Sequence, residues 1–135
     1  MPGEILKQKR IARGMAVLRI ITGLLMAYHG LEVFSTETMN MYMGWDSVKA
    51  LPAGNFMVYA GKAGELLSGI LLTIGLFSRW AALAMAVIMF FICFFIGSGK
   101  FWYEDQHPFL FGMMALVFTI FGPGAWALDN KISKK

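Results

Sequence analysis

Residues 80–99 read WAALAMAVIMFFICFFIGSG and residues 108–128 read PFLFGMMALVFTIFGPGAWAL, and neither stretch carries a charge. A bilayer hydrocarbon core of roughly 30 Å needs about 20 helical residues to cross it, and both stretches reach that length. They are too long for strands and show no polar–apolar alternation. Each therefore predicts a membrane helix. Working outward, residues 11–34 and 54–77 are also mostly apolar, but the first contains Arg19, His29 and Glu32 and the second Lys62 and Glu65. Beside two uninterrupted spans, these read as further spans whose polar side chains face protein rather than lipid. The expectation is a single all-α domain over residues 1–135, a four-transmembrane-helix bundle with helices at about 11–34, 54–77, 79–99 and 108–128.

Composition agrees. Hydrophobic residues are 58% of the 135-residue chain and charged residues 15%, against roughly 25% charged in soluble domains. That excludes an ordinary soluble globule and a disordered chain. One cysteine excludes an intrachain disulfide and a Cys-x-x-Cys motif. The net charge of +4 invites a nucleic-acid reading until the cations are located. Lys7, Lys9, Arg10, Arg13, Arg79, Lys131, Lys134 and Lys135 fall on one side of the expected spans, and only Lys49 and Lys100 on the other. This is the positive-inside pattern. It places both termini in the cytoplasm, assigns the basic charge to topology and leaves no nucleic-acid surface. The first apolar run is long and has no small-x-small cleavage pattern after it, so it is expected to be a retained span and not a cleaved signal peptide.

The connections follow. Residues 35–53 form an outer loop with Tyr42, Trp45 and Pro52; it is long for a structureless connection, so part of it is expected to lie on the interface as a short amphipathic element. Residues 77–79 are a tight inner turn. Residues 100–107 form the second outer loop, with Phe101, Trp102 and Tyr103 as an aromatic belt. Gly122-Pro123-Gly124 should break the last helix near the inner surface.

Several polar groups stand out. Small residues recur in two rows on the second span, Ala60-Gly64-Ser68 and Gly61-Glu65-Gly69, a spacing that lets helix backbones approach closely in lipid. Glu65 lies near the middle of its span, where a lone carboxylate is costly, so it needs a partner. Arg19 is the expected one, about 6 Å lower by helix rise; Lys62, one turn away, competes. The pair is either a structural bond fixing helix register or the polar end of a ligand site. His29 and Glu32 near the outer end of the first span, with Glu104, Asp105 and His107 of the outer loop, are expected to line either an outward-opening polar cavity or a solvated rim. His29 and His107 raise the possibility of haem ligation. Met39, Met41 and Met43 form a Met-x-Met-x-Met run that fits either Cu(I) binding or apolar anchoring of the loop. No metal is otherwise expected. Cys93, among phenylalanines, is expected to be a packing group.

Leu18-Arg19 followed by Gly23, His29-Gly30, the segment Gly64-Glu65-Leu66-Leu67-Ser68-Gly69, then Gly75-Leu76, Ser78-Arg79, and Gly122-Pro123-Gly124 ahead of Leu128-Asp129 occur in an order and spacing that resembles the DoxX family of small bacterial membrane proteins. The resemblance implies a four-helix bundle in the bacterial inner membrane, multi-pass, related to the membrane subunit of thiosulfate:quinone oxidoreductase. It also implies roles for Arg19, Glu65, Arg79 and Asp129. Arg79 and Asp129 both fall at the inner face, where they are expected to pair and tie the short turn to the end of the last helix. The first functional reading is a redox-associated subunit with a quinone-like ligand between helices, in which Arg19, Lys62 and Glu65 would hold the headgroup and His29 would relay protons. The chain has no intrinsic redox group, so electrons would come from a protein partner. A non-enzymatic scaffold and a small-solute or proton carrier, the latter as a homo-oligomer, are the alternatives.

Overall fold

A computed structural model describes residues 1–134; Lys135, one of the cations counted above, lies outside the described residues. Among those residues the protein is all helical. Helix α1 spans Pro2–Gly30 and runs on as a 3-10 turn, Leu31–Phe34; α2 spans Thr36–Met43, α3 Asp46–Lys49, α4 Gly54–Ile74, α5 Ser78–Phe91 with a π-helical turn at Ile92–Ile96, α6 Gln106–Phe121 and α7 Leu128–Ile132. Three stretches are long and apolar enough to cross a membrane: Pro2–Phe34, Gly54–Ile74 and Ser78–Ile96. α6 is apolar but shorter; its 16 residues rise about 24 Å.

The boundaries differ from the sequence expectation for physical reasons. α1 begins at Pro2 rather than near residue 11. Proline suits the first turn of a helix because its missing N–H has no intrahelical acceptor there, and the polar, largely exposed stretch Lys7–Arg13 continues the same helix. The fourth apolar stretch ends its helix at Phe121, not Leu128. Gly122 takes φ +85°, and Pro123 cannot donate the next backbone hydrogen bond. Residues 35–53, expected as an outer loop with a short amphipathic element, hold two short helices. Ser35 caps α2, its hydroxyl accepting from the Thr38 N–H at 3.3 Å, as short hydroxyl side chains do at helix starts. Met39 and Val48 are buried beneath this two-helix cap.

The four long helices form an up–down array in chain order, α1 on α4, α4 on α5 and α5 on α6. Both termini lie at one end, and α2 and α3 cover the other. The shared core is Met26, Leu72, Met85, Met89 and Phe118 around Ala82, Ala86 and Ala115, in which unbranched methionines fill the space beside alanines. The remaining large apolar side chains face outward along the whole length of α1, as Leu18, Ile21, Leu24 and Leu25 do. Such a surface suits lipid rather than water.

Glycines set the α1–α4 register. A Cβ at Gly30 would overlap the Leu66 backbone, one at Gly69 the Ala27 backbone, and one at Gly23 the Thr73 backbone. The helices are antiparallel and in backbone contact, as small residues allow. Each step up α1 matches a step down α4, so Glu65 comes level with Leu31, and Arg19 with the turn after Gly75.

Candidate functional site

That register decides the partner of every buried charge. Arg19 is fully buried, and a Cβ on Gly75 would lie 3.3 Å from its guanidinium carbon. Glu65 is ten residues farther along α4, about 15 Å by helix rise. The expected Arg19–Glu65 pair therefore does not form. Arg19 instead turns its planar donor fork on the irregular segment after α6. Nη1 donates to the carbonyls of Pro123 and of Ala125 (3.0 Å), and Nη2 to that of Trp126 (3.2 Å). Nonhelical backbone at membrane depth must have its carbonyls satisfied by protein, and a guanidinium offers five donors in fixed geometry for the purpose. Trp126 adopts φ +54°, an uncommon left-handed conformation for a large residue, with its carbonyl bound to Arg19. The segment is also tied to α1 through Ala125 N–H to the Ala12 carbonyl, 2.9 Å.

Arg79 and Asp129 do not pair either, though both stabilise the same turn. The Asp129 carboxylate accepts from the Phe77 and Ser78 backbone N–H groups at 2.7 and 2.8 Å, at the uncapped start of α5 where Phe77 has φ +49°. Orphan N–H groups at a helix start bind carboxylates for this reason. Arg79 reaches the other way and donates to the Thr119 and Ile120 carbonyls at 3.3 and 3.1 Å, capping the end of α6. The tie between the inner turn and the chain end exists, but each side chain reaches backbone and not its expected partner.

Glu65 pairs with Lys62. The Lys62 ammonium lies 3.0 Å from Glu65 Oε2 and 2.7 Å from Glu32 Oε2, and 4.9 Å from the centre of the Tyr42 ring. The Tyr42 hydroxyl donates to the same Glu32 oxygen at 2.7 Å. One cation thus bridges two carboxylates, with an aromatic face as third neighbour. Tyr42 lies on α2, outside the spans; burial, then its bond to Glu32, pushes the phenol above its ordinary range. His29 stands beside this network, its ring centre 5.1 Å from that of His107 at the start of α6 and 6.4 Å from Phe111.

These groups form the polar end of a cavity of about 600 Å³. Its polar lining is Lys62, Glu65, Tyr42, His29 and His107; the rest is apolar, chiefly from α4, α5 and the cap. Phe56 of α4 and Val87 of α5 both line it, yet are 72% and 62% exposed. The cavity therefore opens sideways between α4 and α5, onto the apolar outer surface. The π-helical turn lies along it through Ile92 and Ile96; such turns widen a helix locally and recur at functional sites.

Of the residues expected at the site, the structure brings together His29, Lys62 and Glu65, and removes two. Arg19 belongs to the far end. Glu104 is exposed on the 97–105 loop, where it accepts from the Ser98 hydroxyl at 3.1 Å and faces Lys100 at 4.0 Å, while Asp105 caps the loop backbone at Ser98 and Lys100. The Met39-Met41-Met43 run is helical, and a spacing of two turns alternate residues to opposite faces. Met39 is 0% and Met41 53% exposed, so the three sulfurs do not converge. Tyr42 and Gly61 were missed as site residues. Tyr42 carries only an interface-aromatic signal in sequence, and Gly61 hides among the packing glycines.

Comparison with known proteins bears on the whole of this arrangement. The DoxX family model matches residues 14–98, which hold Arg19, the Lys62–Glu65 network and the π-helical turn. The chain is 32% identical over 128 residues to an uncharacterized protein of Haemophilus influenzae, covering 90% of this chain and 92% of the relative. No solved structure matches. With a family model over more than half of its length and a relative similar almost end to end, this chain belongs to the DoxX family.

Proposed function

We propose that the protein is a four-span subunit of the bacterial inner membrane, with both termini cytoplasmic, that binds a quinone-like ligand in the cavity between α4 and α5 and works with a protein partner that supplies electrons. The observation that carries the reading is the cavity itself: apolar walls, a side opening onto the lipid-facing surface, and a single charged end at Lys62 and Glu65. Ligand sites are typically apolar concavities with a few placed polar groups, and a side opening suits a molecule dissolved in the bilayer. A bound quinone would supply two-electron, two-proton chemistry.

The chain's own residues have definable parts. Lys62 is positioned to donate to a carbonyl oxygen while Glu65 and Glu32 balance its charge. The Tyr42 hydroxyl and the Lys62–Glu65 pair fix the depth at which a headgroup stops. His29 and His107 sit beside the cap with ring centres 5.1 Å apart, in place to relay a proton to a bound headgroup. Arg19 has no contact with the ligand and holds the cytoplasmic end together. With the positive-inside bias already described, the cavity lies in the outer half of the bundle. α6 is shorter than the hydrocarbon core, and the Gly122–Ala127 segment completes the crossing with its carbonyls held by Arg19.

The scaffold alternative requires a sealed core, and the cavity reaching Glu65 counts against it. The test is purification in native lipid nanodiscs, followed by mass spectrometry of bound lipids, quinones and proteins. A quinone present in wild type and lost in Glu65→Gln at unchanged folding supports the reading. A stoichiometric protein partner with no quinone would instead support the scaffold.

A further inference from the structure

Helix α4 contains glycines at 54, 61, 64 and 69, and three of them have a close neighbour inside the chain: backbone at Gly54 and Gly69, the side-chain tip of Ile88 at Gly64. A Cβ at Gly54 would overlap the Val48 carbonyl, one at Gly64 would lie 2.6 Å from Ile88 Cδ1, and one at Gly69 would press into α1, 2.8 Å from the Gly23 carbonyl. Gly61 is different: an added Cβ meets nothing within 4 Å. A glycine inside a helix is less stable than alanine would be, because it loses more backbone freedom on folding. Packing within this chain gives no return for that loss at position 61.

What Gly61 does have is a place in the cavity wall. It precedes Lys62 directly and lies one helical turn before Glu65, on the same face of α4. The bare backbone at this point adjoins the charged end through Lys62. We propose that Gly61 is the specificity-determining residue of the site. Its missing side chain leaves a flat strip of helix against which the ring of a quinone headgroup lies within reach of Lys62. Alanine would narrow that strip, and a branched side chain would fill it. The inference rests on the ligand reading above and deepens it.

The experiment uses full-length protein in nanodiscs, with decylubiquinone and a short-chain menaquinone as probes. Binding is read by quenching of tryptophan fluorescence, since Trp45 lines the same cavity, and folding by thermal melting without ligand. Gly61→Ala and Gly61→Leu are compared with Gly14→Ala on α1, where an added Cβ also meets nothing and which lies away from the cavity. All three variants are expected to melt at or above the wild-type temperature. Gly61→Ala should weaken quinone binding about fivefold and Gly61→Leu about fiftyfold or more, with Gly14→Ala unchanged. Wild-type affinity in Gly61→Leu would overturn the inference while leaving the ligand site standing. Gly61 variants that melt as low as Gly64→Leu would also overturn it, because they would reveal a packing role. If the wild-type protein binds neither quinone, the ligand reading falls and the inference falls with it.

Discussion

Replacing Arg19 by Met should destabilise the protein without touching the charge network at Glu65, and a double-mutant cycle measures both statements at once. The substitution keeps an unbranched apolar chain and removes the donors bound to the Pro123, Ala125 and Trp126 carbonyls. An unsatisfied buried acceptor costs about 1–3 kcal/mol, so three set an upper bound of about 9 kcal/mol. Relaxation of the segment and water entering the space left by the guanidinium lower this, and the expected loss is about 3–5 kcal/mol. Lys in place of Arg keeps the charge but not the planar fork, and should recover less than half of the loss. Glu65 lies about 15 Å away by helix rise and shares no partner with Arg19, so the two losses should add within about 0.5 kcal/mol. Lys62→Met and Glu65→Gln, which break a direct 3.0 Å pair, should instead couple by about 1–3 kcal/mol. The assay is reversible unfolding in mixed micelles on titration with SDS, followed by tryptophan fluorescence; Trp126 lies within the affected segment. An Arg19–Glu65 coupling above about 1.5 kcal/mol, with Lys62 and Glu65 additive, would refute the register from which all of this follows.

Asp129→Ala should cost about 2 kcal/mol in the same assay, because it leaves the Phe77 and Ser78 N–H groups without an acceptor; Arg79→Ala should be additive with it, since the two share no bond. Tyr42→Phe should loosen the cap, raising hydrogen exchange in α2 while leaving α5 protected. In wild type the Tyr42 phenol titrates above its ordinary range, so its contribution is complete below the unfolded value near 10 and lost as pH rises through the folded one. An ultraviolet titration of wild type against Tyr42→Phe checks that order, and a phenol titrating at or below the ordinary value would contradict it. Gly69→Leu should abolish folding, since α1 and α4 touch there through backbone, whereas Gly3→Ala, with open space around it, should leave melting unchanged.

Sequence alone determined that this chain is a set of apolar helices with a few polar groups held among them. It also located the breaks, because a bilayer demands long uncharged runs and because Gly122-Pro123-Gly124 cannot continue a helix. It marked Arg19, His29, Glu32, Lys62 and Glu65 as groups that face protein, since ionisable side chains in hydrocarbon need neighbours. It did not determine which neighbours. The 6 Å offset expected between Arg19 and Glu65 came from counting each helix from its own apparent end. α1 extends past that end as far as Pro2, and an apolar run has no mark of its depth. Only the tertiary structure settles the register, through backbone contacts at Gly23, Gly30 and Gly69 that fix two helices to within a residue. Of these only Gly69 reads as a packing glycine in the sequence, and its pairing across helices is a long-range fact without a local signature. The same contacts put Arg19 at the carbonyls beyond α6, Lys62 between two carboxylates, and a cavity beside the one glycine of α4 with open space around it.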